Sequence, residues 1–117
     1  MIEMWFPINV DYPIYDCPQC GYSNMAKWNI KPIYEVSTTG KIRNKNTKHE
    51  LSIRTNGQVT VSVQISLKNG SIWENRFELK LARILYNTFY NDLTKNDKVF
   101  FEDGNKRNYS YNNLIKG

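Results

Sequence analysis

Few metal-binding side chains are present in this chain. Its 117 residues include one histidine, His49, and two cysteines, Cys17 and Cys20. A closed tetrahedral zinc site needs four ligands, so these three cannot complete one without help. Long apolar runs are also missing. None approaches the roughly 18 residues that span a bilayer, so no membrane partner is expected. The opening MIEMWFPINVDY has no basic lead and no extended apolar core, which argues against a secretory signal. An intracellular protein is expected, in cytoplasm or nucleoid. Repeats and low-complexity tracts are absent.

What remains is enough for one folded domain with an appendage. Apolar residues make up 40% and aromatics 14%, a composition that can bury a modest core. Abundant Asn, Lys, Ile and Tyr match the bias of an AT-rich genome, such as that of a phage or other virus, in which case the location is the host cell. The net charge of +5 is unevenly spread. Residues 1–26 hold Glu3, Asp11 and Asp16 and no Lys or Arg. Residues 27–48 hold Lys27, Lys31, Lys41, Arg43, Lys45 and Lys48 against Glu35 alone. Clustered cations suit phosphate, because each neutralised phosphate releases counterions. A solvated basic loop has the same composition.

Three regions follow from the pattern. Residues 1–26 contain three of the four prolines and both cysteines, and read as an irregular appendage. Residues 33–80 read as strands: IYEV, a TTG turn, KIRN, then ELSIRT. Asn56-Gly57 is a hairpin signal, followed by QVTVSVQISL, where Val59, Val61, Val63, Ile65 and Leu67 alternate with polar residues. Asn69-Gly70 is a second turn before the return strand SIWENRFEL. Residues 79–91 read as a helix with Leu81, Ile84, Leu85, Thr88 and Phe89 on one face. A short strand within LTKNDKVFFEDG, a turn at Asp103-Gly104 and a last short helix from Asn108 to Ile115 complete the chain.

The knuckle Cys17-Pro18-Gln19-Cys20-Gly21 resembles half of a zinc ribbon. His49 with a carboxylate such as Asp16, or a second chain, could complete a zinc site there. The other reading is a turn with two free thiols. A glutaredoxin-like redox pair is disfavoured by Gly21 and the proline-rich lead-in.

The motif VFFEDGNKRNYSYNNL resembles the end of an HNH homing-endonuclease domain, V-[ND]-H-x-D-G-N-K-x-N-N-x-x-x-N-L. YEVSTTGKIR resembles the Y-E-V-S-x-x-G-x-[IV]-[RK] signature of the NUMOD-type module that stands beside such nucleases. QVTVSVQISLKN is similar to the family hairpin. LARILYNTFYND is similar to its helix, with the family histidine falling on Ala82. The match keeps one register from about residue 28 to 115. It implies an α+β fold: a small antiparallel sheet with hairpins, one main helix and a degenerate ββα-metal (HNH-like) C-terminal unit. The expected domains are a zinc-knuckle-like appendage, residues 1–27, and a NUMOD/HNH-like domain, residues 28–117.

In that family the strand carries a metal-binding acid or Asn and then a general-base His. Phe100 and Phe101 stand there instead, and neither can accept a proton or hold a cation. The resemblance therefore implies an inactive nuclease: no catalytic residue, no catalytic metal, and at least one phenylalanine filling core. The function expected is nucleic-acid binding without cleavage, to DNA ahead of RNA. Lys41, Arg43, Lys45 and Lys48 would contact the backbone as a basic ribbon, with Lys106 and Arg107 after the D-G-N turn. Trp28, Tyr34, Trp73 or Tyr109 could stack on bases, or belong to the core. Two other readings stay open. One is an interaction subunit or inhibitor docked on a larger nucleoprotein machine. The other is an active variant nuclease using Glu102, Asp103 and Asn113.

Overall fold

The computed structural model describes residues 3–9, 25–67, 69–94 and 97–117, with backbone alone for 25–28 and 67. Cys17 and Cys20 lie outside the described residues, and so does the appendage beyond Asn9. The strands are β1 (Trp5–Pro7), β2 (Met25–Ile30), β3 (Tyr34–Ser37), β4 (Ile42–Asn44), β5 (Gln58–Leu67), β6 (Ile72–Lys80), β7 (Val99–Phe101) and β8 (Leu114–Lys116). One helix, α1 (Leu81–Tyr90), and a 3-10 turn at Tyr111–Asn113 join them. All described pairings are antiparallel, in sheets ordered β1-β3-β4, β2-β5-β6 and β7-β8.

The long hairpin follows its sequence pattern. Val59, Val61, Val63 and Ile65 of β5 are buried, with Phe77 and Leu79 of β6 on the same side. Each such side chain contributes about 1.5–3 kcal/mol by leaving water. Gly70 takes a left-handed backbone (φ 90°) at the turn, as an Asn-Gly hairpin requires. The Tyr34 hydroxyl accepts the Ser62 amide at 2.7 Å and so ties β3 to β5.

Helix α1 begins directly after β6, where the Leu81 amide donates to the Gly57 carbonyl at 3.0 Å. That bond satisfies an amide which no side-chain cap covers. The helix ends at Asn91, which is left-handed (φ 54°) and donates back to the Asn87 carbonyl. Its burial is wider than the predicted stripe. Ala82, Arg83, Tyr86 and Asn87 are buried alongside Leu81, Ile84 and Leu85, because β6, β7 and β8 all pack against it.

Three expectations need correction. Trp5–Pro7 is not irregular; it pairs with β3, Trp5 opposite Ser37. ELSIRT is not a hairpin strand. Only Glu50 forms a bridge, to Arg43, and the chain then bends so that Arg54 donates to the Gln58 carbonyl. Ser52, Ile53 and Arg54 are exposed and offer no face to bury. Asn108 to Ile115 is not a helix. Three residues form a 3-10 turn, and Leu114–Lys116 then pairs with β7, Phe101 opposite Leu114. Asn, Ser and Tyr are weak helix formers, and the strand ladder outcompetes them. β7 and β8 thus form a two-stranded antiparallel ladder, and among the described residues no helix follows them. No helix among the described residues is long and apolar enough to cross a membrane.

Candidate functional site

The side chains of strand β7 alternate between two faces. Val99 and Phe101 pack against the core, and Phe101 meets Tyr109 edge-on at 5.5 Å. Phe100 points the other way. It is 49% exposed and sits opposite Ile115, itself 44% exposed.

The loop after β7 is held by one carboxylate. Asp103 Oδ1 accepts the Asn105 amide at 2.8 Å and Asn113 Nδ2 at 3.0 Å, and Oδ2 accepts Asn108 Nδ2 at 2.9 Å. The Asp103 amide donates to Asn113 Oδ1, and the Glu102 amide to the Asn113 carbonyl. Bonds from Asn108, Asn105 and Asn113 hold the Asp103 carboxyl below its ordinary range. Gly104 (φ 75°) completes the turn. The D-G-N-K-x-N…N spacing is therefore a hydrogen-bonded cage around Asp103.

The polar groups beside β7 are occupied within the turn. Both Asp103 oxygens and the Asn113 amide oxygen are already engaged, and Phe100 and Phe101 bring no donor atom. Glu102 is exposed beside them. Among the described residues, no three His, Cys, Asp or Glu side chains cluster as metal ligands would. His49 is exposed.

Tyr109 docks this loop on the rest of the molecule. A Cβ at Gly40 (φ 95°) would lie 2.2 Å from the Tyr109 Cβ, and one at Gly57 would lie 3.1 Å from its hydroxyl oxygen. Only glycine at position 40 admits the tyrosine so closely. The Tyr111 amide adds a bond to the Thr38 carbonyl. The loop carrying Lys106 and Arg107 is thereby set facing the 54–57 turn.

Between these parts runs a cleft of about 1470 Å³. Arg54, Lys80, Lys98, Lys106 and Arg107 line it, with Phe100, Phe101 and Tyr109 as its aromatic surface. Arg54 pairs with Glu78 at 3.0 Å. Lys80, Lys98, Lys106 and Arg107 make no ion pair among the described residues. Arg83, only 4% exposed, also lines the cleft and donates to the Asp97 and Thr94 carbonyls. Asp97 is the cleft's carboxylate. Bonds from Thr94 hold its carboxyl below the ordinary range, despite an opposing contribution from desolvation.

The 41–48 ribbon lies elsewhere, and three of its four cations are paired. Arg43 Nε donates to Glu35 at 2.6 Å and stacks over Trp5, 3.6 Å from the ring centre. Lys48 joins the same carboxylate at 3.3 Å, and Lys41 faces Glu3 at 3.8 Å. Desolvation pushes the Glu35 carboxyl up, but hydrogen bonds from Arg43 and Lys48 outweigh it and the net shift is downward. Lys45 is exposed and unpaired among the described residues. Of the other candidate stacking residues, Tyr34 is buried, Trp73 half-exposed, and the Trp28 side chain outside the description.

No protein-family model matches the chain, and no curated protein matches it. A solved structure does: "DNA binding and cleavage by the HNH homing endonuclease I-HmuI". The identity is 24% and the TM-score 0.50, covering 79% of this chain and 52% of that one. The fold is HNH-like. At this identity the likeness speaks for the fold alone, and the chain spans about half the length of that neighbour.

Within the HNH-like fold, Arg54, Lys80 and Lys98 are the cleft residues that sequence reasoning missed. A charge count along the chain cannot find them, since they are far apart in sequence and meet only through the hairpin and α1. The local signals available were the Asn56-Gly57 turn just after Arg54 and the Asp103-Gly104 turn a few residues after Lys98; none marks Lys80.

Proposed function

We propose that this chain binds nucleic acid, DNA foremost, and does not cleave it. The observation that carries the reading is the cleft beside β7. It gathers unpaired cations around a strand whose reactive positions are Phe100 and Phe101. Unpaired cations can give up counterions for phosphates at no cost in broken ion pairs, which the 41–48 ribbon would incur at Arg43 and Lys48. Lys106 and Arg107 belong to the cleft; Lys45 and Lys41 can extend the phosphate track outside it. The I-HmuI neighbour, described as binding and cleaving DNA, makes DNA the first ligand to try. Cleavage needs a group that deprotonates water and a ligand set for a cation. Asp103, the carboxylate best placed to help, is spent on the turn.

The test is anisotropy of a labelled duplex at low salt, repeated along a salt series, with plasmid nicking assayed in Mg²⁺ and Mn²⁺. Salt-dependent binding with no nicking is expected. Absence of binding at low salt refutes the binding reading. Divalent-dependent nicking, in proportion to protein and lost on EDTA, refutes the non-cleaving one.

A further inference from the structure

We infer that the cleft prefers single-stranded polynucleotide over intact duplex, with Phe100 as the platform on which an unpaired base stacks. This rests on the nucleic-acid-binding reading above and names its ligand class. A phenylalanine 49% exposed on a three-residue strand gains nothing for folding by standing in water. It is also not isolated. Phe100 shares the cleft with Lys98, Lys106 and Arg107, and Phe101 and Tyr109, packed edge-on to each other against the core, line it as well. One edge of its ring lies over Gly117, where a Cβ would come within 2.4 Å of Cε2. The ring is therefore braced from one side.

Aromatic rings inside a cationic groove make a site for unpaired strands: the cations track the backbone and each ring takes a base face. A duplex keeps its base faces inside the stack, so it can use the cations but not Phe100. The aromatic residue thus adds affinity for one form of the ligand and not for the other. Every base has a face, so the preference carries no sequence readout. Deoxy- and ribo-strands share this chemistry, and the test includes both.

The experiment is competition between oligo(dT), oligo(U) and a mixed-sequence duplex of equal length for the intact protein, with Phe100→Ala and Phe100→Tyr beside it. Wild type should bind at least one single strand more tightly than duplex. Phe100→Ala should weaken that binding by about 5- to 100-fold while leaving duplex affinity within about two-fold. Phe100→Tyr should restore it, since the ring is kept. Phe100 is surface-exposed, so unchanged circular dichroism is expected and excludes misfolding. Equal or tighter duplex binding, or equal loss of both ligands in Phe100→Ala, overturns the inference while the binding reading stands. No binding of any oligonucleotide overturns both.

Discussion

Asp103 concentrates more of the loop's order than any neighbour. Its oxygens accept from Asn105, Asn108 and Asn113, and each bond favours the charged carboxylate. A carboxyl lowered in the folded state stabilises the fold above its unfolded value, and that stability drains away as pH falls through the lowered folded value. Acid should therefore loosen the 103–113 loop, beginning below the ordinary carboxylate range. Asp103→Asn should lower the melting temperature at pH 7 and flatten its acid limb, measured by thermal melts from pH 7 to pH 3. An unchanged acid limb would mean that the cage does not depend on charge. Gly40 is the second sensitive residue. Gly40→Ala forces a left-handed alanine against the Tyr109 Cβ. A loss above about 1 kcal/mol is expected in urea denaturation, since both strain and overlap act.

At the scale of elements, local signals and distant ones separate cleanly. The β5–β6 hairpin and α1 could be read from the chain because Val59 to Ile65 alternate and Leu81, Ile84 and Leu85 recur at helical spacing. β8 could not, since its pairing depends on Phe101 and Leu114 meeting across thirteen residues and on Asn113 turning back to Asp103. The 51–54 segment misled for the same reason: strand-like residues without a partner strand remain loop. Arg83 shows how an element can carry a charge inward. From the first turn of α1 it holds Thr94 and Asp97 by their carbonyls. Arg83→Met should leave the Thr94 and Asp97 carbonyls short of a donor, at a cost of about 1–3 kcal/mol. Hydrogen exchange should then rise first around residues 97–99, ahead of the β5–β6 hairpin. Uniform exchange across the chain would contradict that role.

At the scale of the molecule, the cleft is an assembly that sequence order conceals. Arg54 comes from the turn before β5, Lys80 from the end of β6, Lys98 from the start of β7, and Lys106 and Arg107 from the loop that Tyr109 fastens to Gly40 and Gly57. Lys106 and Arg107 stand out in the chain because they follow an obvious turn. The other three are unremarkable until α1 folds the hairpin back toward β7. The 41–48 ribbon presents the opposite case, a run of cations obvious in sequence of which Lys41, Arg43 and Lys48 pair with Glu3 or Glu35 once folded. Salt dependence separates the two surfaces. Each phosphate contact contributes about one unit to the slope of log K against log salt, so Lys80→Ala with Lys106→Ala should flatten it by about two. Lys41→Ala with Lys48→Ala should change it by less, because these side chains already have carboxylate partners and release fewer counterions. If the second pair flattens the slope more than the first, the phosphates run along the ribbon and the cleft is not the site.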